Sequence, residues 1–130
     1  MPTFIFNKLI RDKLKEEYVR LDHRAKYIKL TDAELNEALK QKIIEEVNEI
    51  PIDGSKENIA SELADIMQVI DDIAVKNGIT QQEIIDAKIK KFAKKGGFSK
   101  GLFVEKVTLH DEDEWVAYYR QEPEKYKEIV

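Results

Sequence analysis

Apolar residues return along most of this chain at the three- and four-residue intervals of a helix, and the breaks between the runs carry cap and turn residues. The first run, Asn7 to about Arg20, sets Leu9, Ile10, Leu14, Tyr18, Val19 and Leu21 at that spacing. Thr31-Asp32-Ala33-Glu34 then reads as a capping box, the threonine hydroxyl capping the helix while the glutamate reaches back. The helix it opens runs to Ile50, because Pro51 disfavours helical geometry in the residue before it. Its apolar stripe is Leu39, Ile43, Val47 and Ile50, flanked by Leu35 and Ile44. After the tight connection Pro51-Ile52-Asp53-Gly54, Ser55 is the N-cap of a third helix that continues to about Asn77 and stops at Gly78. Ile59, Leu63, Ile66, Ile70 and Ala74 form its stripe, widened by Met67 and Ile73. Thr80-Gln81-Gln82-Glu83 is a second capping box, and the helix behind it ends near Lys95, before Gly96-Gly97.

Four helices joined by short turns predict an all-α protein with an antiparallel four-helix bundle as its core. Thr3 to Phe6 reads as a strand or a packing arm, and Tyr27 to Leu30 as a short extended link. Leu102 to Leu109 alternates imperfectly, and the expectation is a small β element that pairs residues 102–109 with the N-terminal arm. Trp115 to Tyr119 and Pro123 to Tyr126 predict one or two short terminal helices. Trp115, Tyr118 and Tyr119 are expected to pack on the bundle or on a second subunit rather than to stack on a base. At 130 residues the length suits one domain.

Charged residues make up 37% of the chain yet leave a formal net charge of only −4, which argues against a general nucleic-acid binder. With no cysteine, disulfides and thiolate metal sites are excluded. The apolar patch near the N-terminus is too short for a signal sequence or a membrane span, so the expected setting is cytoplasmic, without a membrane. His23 and His110 stand far apart in no ligand spacing, and neither a phosphate-binding glycine loop nor a nucleophile motif is present.

The candidate chemistry lies in two acidic patterns. Glu45, Glu46 and Glu49 fall near the end of the second helix; Glu62 and Asp65 fall near the start of the third. Residues three apart share a helix face, which pairs Glu46 with Glu49 and Glu62 with Asp65. Two helices joined by so short a turn run antiparallel, so both pairs sit at one end of the bundle and their four carboxylates are expected to converge. Like charges at that distance repel, and a divalent cation removes the conflict. Magnesium, which prefers hard oxygen ligands and shares substrate phosphates, fits such a set. Glu45 points away from Glu46 and is a candidate to serve a second metal or to orient the attacking water. The competing reading is a solvated helix face in which Lys42 pairs with Glu45 and Glu46. A carboxylate–magnesium site also needs cations for the remaining phosphate charge. Lys8, Arg11 and Lys13 from the first helix, and Lys88, Lys91 and Lys95 from the last, are the candidates.

These acidic patterns, with twelve residues between Glu49 and Glu62, resemble the EExxE…ExxD signature of the MazG-like nucleotide pyrophosphohydrolases. Asn7-Lys8-Leu9-Ile10-Arg11-Asp12-Lys13 is similar to the NKLVRDK opening of one subgroup. Lys95-Gly96-Gly97-Phe98 resembles the segment that follows the last core helix there. The resemblance implies a MazG-like domain over residues 1–103, with 104–130 as a C-terminal extension packed on the same domain or on a partner subunit. It implies that Glu46, Glu49, Glu62 and Asp65 bind Mg2+, for which Mn2+ can substitute, and that Glu45 is the catalytic, water-activating or second-metal carboxylate. The implied reaction is hydrolysis of a nucleoside triphosphate, such as a non-standard or surplus dNTP, between the α and β phosphates to a monophosphate and pyrophosphate. It further implies a homodimer or homotetramer. The alternatives are a phosphoribosyl-ATP pyrophosphohydrolase of histidine synthesis and a non-catalytic helical interaction module.

Overall fold

A computed structural model describes residues 1–129, and helices are their only regular elements. There are five: α1 (Leu14–Arg20), α2 (Asp32–Asn48), α3 (Lys56–Lys76), α4 (Gln81–Lys95) and α5 (Glu114–Arg120). The protein is all-α. It divides into two compact units, one of Met1–Lys90 and another that begins at Lys91, so the division falls within α4.

In the first unit α2 and α3 pack on each other. Their ends are set locally. The Thr31 hydroxyl accepts from the Glu34 N–H while the Glu34 carboxylate accepts from the Thr31 N–H, completing the capping box. Ser55 caps α3 by accepting from the Asn58 N–H at 3.2 Å. At the far end Gly78 takes φ +68°, a left-handed turn that a side chain would strain, and the chain leaves the helix there. The pair is antiparallel: Lys76 at the end of α3 reaches Asp32 at the start of α2, 3.4 Å away.

The seam is turned from the one the apolar periodicity predicts. On α2, Leu39 and Glu46 are buried and Leu35, Lys42 and Ile43 half-buried, whereas Val47 and Ile44 are about half exposed. On α3, Val69 and Ala74 are buried and Ile59, Glu62, Ile66 and Ile73 half-buried, whereas Leu63, Met67 and Ile70 face out. The cause is visible in α3, whose apolar residues spread over a broad arc wider than one packing contact, so the spacing leaves open which part of that arc turns inward. The observed rotation carries Glu46 and Glu62 toward the seam.

Two other expectations are corrected. The helix expected from Asn7 begins only at Leu14; Asn7 has φ +46°, a conformation asparagine tolerates, and residues 8–13 run as an irregular arm. The β element is absent among the described residues: neither 3–6 nor 102–109 forms a strand, and Leu102, Phe103 and Val104 are exposed. A strand needs a hydrogen-bonded neighbour, and an imperfect alternation does not supply one. Of the one or two terminal helices expected, one forms as α5, and 123–126 makes turns.

In the second unit, Asp113 caps α5 by accepting from the Trp115 N–H at 2.8 Å. The chain then folds back, so that Tyr126 lies 4.7 Å, ring to ring, from Tyr119 and Arg120 pairs with Glu128 at 2.6 Å. Trp115, Tyr118, Tyr119 and Tyr126 thus pack on one another. No helix of the described residues is long and apolar enough to cross a membrane.

Candidate metal centre

The mouth of the α2–α3 hairpin gathers carboxylates. Glu46 comes from the last turn of α2, Glu49 is that helix's C-cap residue, and Glu62 comes from the second turn of α3. Each offers an oxygen within 4.8 Å of the others. Glu46 is only 8% exposed, Glu62 is half-buried and Glu49 is open to solvent. One oxygen of Glu46 and one of Glu62, the Oε2 of each, are buried without a hydrogen-bond partner among the described residues. Buried carboxylate oxygens cost free energy when left unsatisfied, and a cation held among these three acids could satisfy both.

Asp65, the fourth residue of the predicted set, stands beside this cluster rather than in it. Its Oδ1 accepts a hydrogen bond from Arg11 at 2.7 Å. Glu45 is likewise engaged: Lys8 and Lys42 each lie 3.3 Å from its Oε1. Two predicted phosphate ligands, Lys8 and Arg11, therefore sit on the carboxylates themselves, brought there by the irregular arm. Lys13 precedes α1 as an exposed residue, and Lys88 is exposed on α4 within the first unit; neither makes an ion pair among the described residues. Lys91 and Lys95 are exposed residues of the second unit.

The charges respond to this setting. Burial is the strongest influence on Glu46 and lifts its carboxyl above the usual range; the charge of Glu49 lifts it further, Lys42 opposes the rise and Asp65 adds to it. Burial also raises Glu45, but the hydrogen bonds and charges of Lys42 and Lys8 outweigh it, and its carboxyl falls below the usual value. The two neighbours are thus separated, Glu45 held ionised and Glu46 reluctant.

Lys42 is the participant that sequence reasoning assigned to a solvated face. Its side chain is 18% exposed and lies 3.5 Å from Glu46 as well as 3.3 Å from Glu45. The i,i+3 and i,i+4 spacing to the two glutamates was readable. Its burial followed only from the turned seam.

No protein-family model matches this chain, and comparison with curated proteins and with solved structures finds no match. The functional reading rests on the residues themselves. The donor set is all oxygen, carries several negative charges and offers both buried and open ligands. It suits a hard divalent cation that keeps some water.

Proposed function

We propose that the protein is a magnesium-dependent nucleoside triphosphate pyrophosphohydrolase of the MazG-like kind, cleaving between the α and β phosphates to release a nucleoside monophosphate and pyrophosphate. One observation carries the reading: three carboxylates from two antiparallel helices meet within 4.8 Å, and two of them hold buried, unsatisfied oxygens. Glu46, Glu49 and Glu62 hold the ion, with Asp65 completing the set. When bound, magnesium would neutralise phosphate charge and lower the pKa of a bound water.

The rest is the work of the chain's own side chains. Glu45, ionised and steadied by two lysines, accepts a hydrogen bond from the attacking water and orients it. Lys8 and Arg11 supply donors to the polyphosphate, and the fork of Arg11 suits two phosphate oxygens at once. The reading includes a four-helix bundle assembled around the α2–α3 pair, a cytoplasmic setting and a homodimer or homotetramer. An observation favours self-association. Leu39, Val69 and Ala74 are the buried apolar residues among those described, while Leu63, Met67, Ile85, Ile89 and Phe92 stay exposed, a small core for such a chain.

A nucleotide panel that includes phosphoribosyl-ATP, assayed with magnesium, manganese and calcium, tests the proposal. Stoichiometric monophosphate and pyrophosphate are expected. Release of inorganic phosphate alone, or no turnover on any substrate while magnesium binds, would refute it. Preference for phosphoribosyl-ATP would assign the histidine-pathway alternative.

A further inference from the structure

The irregular arm has a role that its sequence does not announce. Of the four acids predicted to ligate a metal, three gather within 4.8 Å and the fourth, Asp65, is taken by Arg11 at 2.7 Å. The same arm places Lys8 on Glu45 at 3.3 Å. Five carboxylates (Glu45, Glu46, Glu49, Glu62 and Asp65) thus face three cations (Lys8, Arg11 and Lys42), and the two charges left over equal those of one divalent ion. Unlike Lys42, Arg11 is not confined: its side chain is 58% exposed, and Asp65 is 34% exposed. The neighbouring Leu9 and Ile10 are half-buried and anchor the arm, so the guanidinium can turn away while the backbone stays.

We propose that Arg11 is a resident counter-ion of the carboxylate centre: a divalent cation displaces it from Asp65, and the freed guanidinium then takes the polyphosphate. The inference rests on the metal reading above and adds an exchange to it. Until the ion arrives, Arg11 offsets the repulsion that Asp65 exerts on Glu46. Once the ion is bound, Asp65 becomes its ligand, and Arg11 is left within reach of the phosphates. One side chain therefore opposes binding of the bare metal and favours binding of the metal-bound polyphosphate.

Those opposite signs are the test. Isothermal titration of the full chain with Mg2+ alone, and then with inorganic pyrophosphate at saturating Mg2+, is carried out on wild type, Arg11→Gln, Arg11→Lys and Lys26→Gln. Exposed ion pairs are weak, so Arg11→Gln is expected to bind Mg2+ about two- to five-fold more tightly. Loss of a charge-assisted donor is expected to weaken its pyrophosphate binding by about tenfold. Arg11→Lys keeps the charge and is expected near wild type for Mg2+, but weaker for pyrophosphate because an ammonium lacks the fork. Lys26→Gln makes the same charge change on the exposed surface and leaves both affinities unchanged. In an Asp65→Asn background, Arg11→Gln should no longer tighten Mg2+ binding. The exchange is overturned if Arg11→Gln binds Mg2+ no more tightly than a wild type that does bind it, or if Lys26→Gln matches it. A wild type that binds no Mg2+ would instead refute the metal reading, and the exchange with it. Should Arg11→Gln fail to fold by circular dichroism, the contrast between the two titrations of Arg11→Lys decides: equal changes in both would overturn the exchange.

Discussion

Replacing Glu46 by glutamine should make the metal-free protein more stable while removing its response to magnesium. Glu46 is 8% exposed and shares its cluster with Glu49 and Glu62 at oxygen separations within 4.8 Å. At an effective dielectric constant of about 20, each such pair repels by about 3.5 kcal/mol. Lys42 at 3.5 Å returns about 4.7 kcal/mol on the same scale. The remainder is about 2 kcal/mol of net repulsion, reduced to about 1–2 kcal/mol by the exposure of Glu49. Glutamine is isosteric, still accepts from Lys42 and can donate to a neighbouring carboxylate, so the substitution removes the conflict without leaving a cavity. For a chain of this length the gain is a rise of about 4–8 °C in melting temperature. Magnesium at about a hundred times its dissociation constant should stabilise the wild type by about 2.7 kcal/mol. It should leave Glu46→Gln nearly unmoved. Thermal melts followed by circular dichroism, with EDTA and with magnesium, should therefore show the order of the two proteins narrow or reverse. A variant that melts below wild type in EDTA, or that keeps the wild-type magnesium shift, would refute the electrostatic account.

Removing Lys42 should do the opposite. Lys42→Met leaves Glu46 uncompensated and Glu45 with Lys8 alone around an 18%-exposed position, and urea denaturation without metal should show a loss of about 2–4 kcal/mol. The pH dependence has a definite sign. The raised carboxyl of Glu46 binds its proton more tightly when folded, so its contribution is fully present below the ordinary value of 4.5 and is lost as pH rises through the raised one. Metal-free wild type should lose stability across that window, as measured by urea midpoints, and Glu46→Gln should not. Magnesium affinity should rise over the same interval, because the ion requires the ionised carboxylate. Thr31→Ala removes one half of the α2 capping box and should cost about 1 kcal/mol in the same denaturation assay.

The helix ends were legible because caps are local chemistry. Thr31, Ser55 and Gly78 act within three or four residues of themselves, and no tertiary contact is needed to read them. The antiparallel hairpin was legible as well, since a connection as short as the seven residues 49–55 between two helices permits little else. The inward face of each helix was not. Leu63, Met67 and Ile70 are as apolar as Ile59, Ile66 and Ile73, and only the packing decides which set turns inside. The arm was misread for a related reason: Leu9, Ile10 and Leu14 carry helical spacing, but Lys8 and Arg11 are held by acids far along the chain. Thus Glu46, Glu49 and Glu62 were expected together and lie together. The pairing of Asp65 with Arg11 and the burial of Lys42 depend on contacts that no short window contains.

The connection between α2 and α3 is also a gauge. At Gly54 the backbone passes so near the Pro51 ring that an added Cβ would lie 2.3 Å from its Cγ. A rigid ring cannot step aside as a long flexible side chain would. Even a methyl group there must therefore shift the connection, and an opening of the hairpin at its hinge is the expected result. Glu49 and Glu62 stand only one or two helical turns from that hinge, too near for the widening to fade with distance. The spacing of those acids is thus tied to the absence of a side chain on a residue outside their cluster.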